Sequence, residues 1–280
     1  MNLKCNISNT DDPLKQIQDC IDIMNEIDKA ELEKGEILNL DFSDVEWMLP
    51  CSALLLSNKI IEACRRINIK ISPPNKRGVY EYLTRIGFPL GCEVEGESFL
   101  PINHFSNKDN VNEQISKISK HIGNKVDKNF GFSVNYLLAE LSDNIEQHSQ
   151  FTQASIMTQY YSDKKYIDVG IFDNGITIPT VFEKKGVQFS DDCDAIKKAL
   201  EGESTKEEQG RGFGLRTSKK LVLEGLDGEM YVLSREGAII LNSKDKEKSQ
   251  ELMKKALKGT LVYMRFSAPK KSLNIIKYVE

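Results

Sequence analysis

The run Tyr166-Ile167-Asp168-Val169-Gly170-Ile171-Phe172-Asp173-Asn174-Gly175-Ile176 reads as a β-strand that ends in a turn carrying a carboxylate. Its apolar content suits a strand buried in a sheet, and Asn174-Gly175 loosens the backbone at the strand end. Taken alone, Asp-Asn-Gly fits an ordinary β-turn as well as a site. On either side of this run the chain alternates helical and strand periods. Helices are expected over 110–126 and 131–149, and strands near 153–161 and 165–173. A long irregular stretch is expected over 177–209, where few apolar residues lie together among many charges, and it reads as a lid. A helix over 213–225 follows, then strands near 228–234, 237–242 and 259–267. The charged segment 243–258 reads as a polar excursion or a short helix.

Nearer the start, Leu14, Ile17, Cys20, Ile21, Met24, Ile27 and Leu32 recur at three- and four-residue steps, which predicts an amphipathic helix over 12–34 closed by Gly35. A strand over 36–42, a helix over 52–67, a strand over 69–72 and a helix over 76–86 come next. Strands alternating with helices imply an α/β layered fold. Glycines, a proline and mixed polar residues between Leu90 and Asn107 place a domain boundary there, giving domains 1–107 and 108–280. A length of 280 residues agrees with two domains.

Composition narrows the function classes. Hydrophobic residues make up 40% and charged residues 29%, an ordinary globular balance. The net charge of −4 supplies no overall attraction to nucleic acid or anionic lipid, so no direct nucleic-acid or membrane role is expected. The first residues lack the apolar core of a signal peptide, and no stretch approaches the ~20 apolar residues of a membrane span, so a cytoplasmic location is expected. The six cysteines are scattered without a Cys-x-x-Cys pair, and His104, His121 and His148 stand at no zinc-ligand spacing. Reduced structural thiols are the expectation.

Three features carry chemistry. Glu140, Asn144 and His148 recur every four residues and share one helix edge, beside the apolar stripe Val134, Leu138, Leu141 and Ile145. Asp173 closes the quoted strand. Gly210-Arg211-Gly212-Phe213-Gly214-Leu215 precedes an apolar-periodic helix, so bare backbone N–H groups lie beside the positive end of a helix dipole, an arrangement suited to phosphates. It is neither a dinucleotide fingerprint nor a P-loop, since Gly is missing at Leu215 and no Gly-Lys-Ser/Thr follows. Each feature has a plain reading of its own: a wet helix face, a turn, a hinge.

Their order changes the weighing. Glu-x-x-x-Asn on a helix, Asp-x-Gly at a strand end, a long loop, Gly-x-Gly-x-Gly-Leu opening a helix and Gly259-Thr260 at a late strand together resemble the GHKL superfamily of gyrase-type ATPases, Hsp90 chaperones, histidine kinases and MutL. The resemblance covers about residues 110–267. It implies a Bergerat-type α+β sandwich, with helices on one face of a mixed sheet, that binds ATP and Mg²⁺. By that resemblance Asn144 is the Mg²⁺ ligand and Glu140 the general base toward water or an acceptor hydroxyl. Asp173 is the adenine anchor, Gly175 lets the backbone approach the base, Gly210, Gly212 and Gly214 contact the phosphates, and Thr260 holds adenine through water. The family pattern Asp-x-Gly-x-Gly departs here, with Thr177 at its second glycine. His121 lacks the neighbours of a histidine-kinase phosphoacceptor, which disfavours a self-phosphorylating sensor.

The stretch Leu38-Asn-Leu-Asp-Phe-Ser-Asp-Val-Glu-Trp-Met-Leu-Pro-Cys-Ser-Ala-Leu54, followed by a helix, a short strand and Tyr82-Leu-Thr-Arg-Ile-Gly-Phe88, resembles a STAS domain, the anti-sigma-factor antagonist fold. Where phosphorylatable members carry Asp-Ser-Ser-Gly, this chain has Pro50-Cys51-Ser52-Ala53. Cys51 takes the place of the acceptor serine, which implies a docking module. Together the two resemblances imply an ATP-binding regulatory protein of the anti-sigma, serine-kinase-like branch, with a sigma factor or STAS protein as partner. The alternative is an ATP-hydrolysing switch that closes and dimerises without phosphorylating a protein.

Overall fold

The computed structural model describes residues 1–33, 35–92, 99–106, 116, 135–141, 144–145, 149–202, 214–243, 248–251, 255–267 and 276–279. Met1–His104 with Ser155–Met157 form one compact unit, and Phe105–Ala154 with Thr158–Glu280 form a second.

In the first unit, strands β1 (Asn2–Lys4), β2 (Ile37–Asp41) and β3 (Asn68–Ser72) form a parallel sheet in that order. Parallel neighbours need crossover connections, which α1 (Pro13–Lys29) and α2 (Pro50–Ala63) supply; α3 (Arg77–Arg85) follows β3. Asp12 caps α1 by accepting from the Leu14 N–H, with Pro13 in the first turn. This helix stops at Lys29, short of the expected 34, because the chain turns extended at Ala30 (φ −62°, ψ 107°), which is buried while the next residue, Glu31, is exposed. Leu38, Leu40, Leu54, Leu55, Leu56, Ile17 and Ile27 are buried together as its core. Two strands were not expected. β1 is three residues long and exists through its pairing with β2, while β4 (Phe99–Phe105) lies in the segment expected to be a linker, its pattern interrupted by Pro101.

The second unit holds β5 (Ala154–Tyr161) except Ser155–Met157, with β6 (Tyr166–Asp173), β7 (Glu229–Arg235), β8 (Gly237–Asn242), β9 (Lys248–Glu251) and β10 (Leu257–Ser267), ordered β5-β6-β10-β7-β8-β9. The last and longest strand, β10, inserts between β6 and β7 and runs antiparallel to both. Strand β9 falls where a polar excursion or helix was expected; pairing with β8 supplies what its polar sequence does not. Val262, Met264 and Phe266 share a face with Ile171, Val169 and Ile167 across the β10–β6 pair and with Val232 and Met230 across β10–β7. Leu261, Tyr263, Phe172 and Leu233 on the opposite face are buried as well, so both faces of these strands are packed.

Residues 135–141 are helical. The stretch expected to be irregular instead contains α4 (Ile178–Lys185) and α5 (Asp192–Glu201). Both are short and held by caps. Thr177 accepts from the Thr180 N–H and Gly186 ends α4 with φ 72°, while Asp191 accepts from the Asp194 N–H and Gly202 ends α5 with φ 94°. Residues 203–209, the remainder of the expected lid, lie outside the described residues, as do His121, His148 and, apart from residue 116, the helix expected over 110–126. Next come α6 (Gly214–Lys220), a π-helical turn (Leu221–Gly225) and a terminal turn α7 (Ile276–Val279).

Candidate functional site

Strand register assembles the first part of the site. Asp173, the last residue of β6, stands opposite Thr260 of β10, and Thr260 stands opposite Ser234 of β7. Directly opposed residues of antiparallel strands point to one face, so a carboxylate and two hydroxyls form a row across three strands. Asp173 and Ser234 are buried, and Thr260 between them is half-exposed. The Thr260 and Ser234 hydroxyl oxygens are 2.9 Å apart. Burial pushes the Asp173 carboxyl up to about 7, against the opposing effect of the Gly175 N–H, which donates to Oδ1 at 2.9 Å, and of the Ser149 hydroxyl. A buried acceptor poised near neutrality is suited to a ligand that brings a donor.

Each residue of the Asp-Asn-Gly turn has a separate task. The Asn174 carboxamide oxygen accepts from the Thr152 and Gln153 N–H groups at 3.1 and 2.9 Å, tying the turn to the segment before β5. Gly175 packs on the end of the preceding helix, where any Cβ would collide with the Ser149 carbonyl oxygen. Gly259 has φ +104°, and a Cβ there would collide with the Asp173 carbonyl oxygen. Thr177, where the family has a second glycine, sits at φ −77° and ψ 158° as the cap of α4, a conformation that needs no glycine.

The second part lies along the helix edge. A Cβ on Gly214, the first residue of α6, would stand 2.6 Å from Glu140 Oε2 and 3.1 Å from Asn144 Nδ2. The last glycine of the Gly-rich segment therefore abuts the carboxylate and amide that the sequence places one helical turn apart; Gly210 and Gly212 lie outside the described residues. The Asn144 Nδ2 atom is buried without a hydrogen-bond partner, an unsatisfied amide beside a carboxylate. Sequence reasoning missed four residues here. Tyr136, four positions before Glu140, hydrogen-bonds to Glu140 and Thr217, and its phenol is pushed up to about 12 by burial and by the Glu140 charge. Its i, i+4 spacing was a usable signal. Thr217, Ser149 and Ser234 had none, since only packing and register bring them in.

These groups suit a purine nucleotide. Asp173 offers an acceptor to an exocyclic amine. One amide and one carboxylate suit Mg²⁺, which takes one or two protein oxygens and fills its shell with phosphate and water. Among the described residues no cluster of three or more His, Cys, Asp or Glu could hold a metal by itself. Residues 133–269 match the family model described as histidine kinase-, DNA gyrase B- and HSP90-like ATPase. That stretch has the GHKL ATPase fold. No curated protein matches this chain.

The ATPase match does not reach residues 1–132, where the loop compared with the STAS phosphorylation loop is closed. Cys51 and Ser52 are both 0% exposed. The Ser52 hydroxyl donates to Gln16 Oε1 at 2.8 Å, and the same oxygen accepts from the Leu49 N–H at 2.9 Å. Gln16 Nε2 donates in turn to the Ser8 and Thr10 carbonyls. Gln16 thus fastens the start of α2 to the chain before α1, and Ser52 is spent on that task. All six cysteines are free thiols; burial raises the Cys20 thiol well above its ordinary value and the Cys5 thiol to about 12, so neither is a ready nucleophile. Among the described residues no helix is long and apolar enough to cross a membrane.

Proposed function

We propose that residues 108–280 form an ATP-binding, phosphoryl-transferring domain and that residues 1–107 form a STAS-like docking domain, together making a regulatory protein of the anti-sigma, serine-kinase-like kind. The juxtaposition of Gly214 with Glu140 and Asn144 carries this reading, because it joins the Gly-rich segment to the base and metal-ligand candidates. In this reading Asp173, Gly175 and Thr260 would hold the base, Gly210, Gly212 and Gly214 would contact the phosphates as the resemblance implies, and Asn144 would hold Mg²⁺. When bound, the metal neutralises phosphate charge. Glu140 takes the proton from the attacking hydroxyl or water, with Tyr136 hydrogen-bonded to its carboxylate. The protein partner is a sigma factor or a STAS protein, and a homodimer is one assembly that nucleotide could control. The cytoplasm is the proposed location.

Incubation with γ-labelled ATP and candidate partners tests the reading. Label on a protein serine supports the kinase form; free phosphate alone supports the hydrolysing switch. Glu140→Gln should bind ATP with Mg²⁺ as the unaltered protein does and lose turnover by about 10²–10⁴-fold. A loss below about threefold rejects Glu140 as the base, and failure of calorimetry to detect Mg²⁺-dependent ATP binding rejects the site.

A further inference from the structure

Tyr136 and Thr217 meet at Glu140, and neither belongs to a motif that points to the nucleotide. Tyr136 stands one helical turn before Glu140 in the helical segment 135–141. Side chains on a helix lean toward its N-terminus, so the Glu140 carboxylate reaches back to the Tyr136 phenol and hydrogen-bonds to it. From α6 the buried Thr217 hydroxyl bonds the same phenol. Thr217 follows Gly214 by three residues and so lies on the same side of α6. That side of α6 faces the helix edge carrying Glu140, because a Cβ on Gly214 would stand 2.6 Å from Glu140 Oε2.

This chain of bonds has one direction. An ionised carboxylate only accepts, and a phenol has a single proton to give. The Tyr136 proton therefore goes to Glu140, and Thr217 must donate to the phenol oxygen. The phenol, pushed up to about 12, keeps its proton throughout the neutral range. We infer that Tyr136 is a positioning residue that holds the Glu140 carboxylate in one orientation, and that Thr217 fixes Tyr136 from α6. The inference rests on the reading of Glu140 as general base and deepens it. A glutamate has three side-chain torsions, and a carboxylate free to turn about them presents a lone pair to the reacting proton only part of the time. Here the phenol anchors it on one side and the bare backbone of Gly214 bounds it on another. Without the phenol hydroxyl the carboxylate is free to leave that orientation, and Thr217 loses its link to the base.

Two measurements on the full chain test this. The first uses ligand-free protein isotopically labelled at the tyrosine ring carbon that bears the hydroxyl, where the Tyr136 NMR resonance is the one that Tyr136→Phe removes. Glu140→Gln and Thr217→Val should each shift that resonance at neutral pH, and if either leaves it in place the inference is overturned. The second follows turnover of γ-labelled ATP with Mg²⁺. Tyr136→Phe, which keeps the ring, should lower kcat about five- to thirtyfold and leave KM for ATP within about twofold. Thr217→Val should lower kcat about threefold, and combining it with Tyr136→Phe should lower kcat no further than Tyr136→Phe alone. Added to Glu140→Gln, Tyr136→Phe should cost nothing more, because it acts through that carboxylate. A further loss in that background, or a raised KM with kcat unchanged, would mean that Tyr136 acts on the nucleotide or the fold, and overturns the inference. Lost turnover in Glu140→Gln with kcat unchanged in Tyr136→Phe overturns this inference alone, whereas full turnover in Glu140→Gln overturns the base reading and this inference with it.

Discussion

Asp173 couples the site to pH. Its folded-state carboxyl titrates near 7 against an ordinary value of 3.8, so the folded protein holds a proton that the unfolded chain has released. Stability of the ligand-free protein should therefore fall as pH rises from 3.8 to about 7 and level off above, where both states are ionised. On the proposed role of Asp173 as base anchor, nucleotide binding should show the opposite trend, because an amine donor bonds an ionised carboxylate more strongly than a neutral carboxyl. ATP affinity should rise as pH increases through 7 and flatten above, by at most tenfold per unit. In Asp173→Asn both trends should vanish. Thermal melts and calorimetric titrations from pH 5.5 to 8.5 check this, and a variant that keeps the slope would show that another group titrates.

Among the secondary-structure elements, α4 and α5 are the pieces that the expected lid became, and Arg235 is what holds them. This residue ends β7 at φ +57°, just before the turn to β8. Its guanidinium bonds both Asp192 oxygens, with Nε at 2.9 and 2.8 Å, and reaches Glu183 of α4 at 2.6 Å. Asp192 also accepts from the Glu236 N–H, and a Cβ on Gly237 would come within 2.7 Å of the Asp192 backbone. Burial raises the Asp192 carboxyl, but the Arg235 bond outweighs it and holds the group below the ordinary range, so the tie persists at neutral pH and weakens only when acid protonates it. Arg235→Ala should cost about 1.5–3 kcal/mol, a fall of several degrees in melting temperature. Hydrogen exchange should quicken in residues 178–201 before it does in β6 or β10. Unchanged protection there would show that apolar contacts such as Ile196 and Leu200 hold the helices unaided.

Across the whole chain, the division into units does not follow sequence order, because Ser155–Met157 of β5 belong to the first unit. In that unit the Ser155 hydroxyl accepts from Asn58 Nδ2 at 2.9 Å and lies 2.7 Å from His104 Nδ1, while His104 Nε2 lies 3.0 Å from the Ser57 hydroxyl. Burial holds His104 below its ordinary 6.5, so it folds neutral, and stability that depends on it is lost as pH falls below 6.5. Ser155→Ala should destabilise the first unit by about 1–3 kcal/mol in urea titrations, with nucleotide affinity unchanged. A cost below about 0.5 kcal/mol would mean that Asn58 and His104 are satisfied without it.

Much of the ATPase fold was legible in local pattern. The strands around 154–161, 166–173, 229–235, 237–242 and 257–267 announce themselves through runs of apolar residues, and Glu140 with Asn144 through helical spacing. Such signals act over a few residues, and the chain carries them wherever it folds. Elements held by caps or pairing, β1, β4, β9, α4 and α5, were missed or misread because their stabilising partners lie elsewhere in the chain. Thr177 looked like a departure from a glycine pattern until α4 was seen to need a cap there. Cys51 and Ser52 stand where phosphorylatable STAS domains carry their acceptor loop; in three dimensions both are buried and Ser52 is bonded to Gln16. The Asp173–Thr260–Ser234 row joins residues up to 87 positions apart through strand register, a relation set only when β10 slides between β6 and β7. Residue types and spacings determined which chemistry was available to this protein; tertiary structure decided which groups meet, because burial and hydrogen-bond direction exist only once the strands are in place.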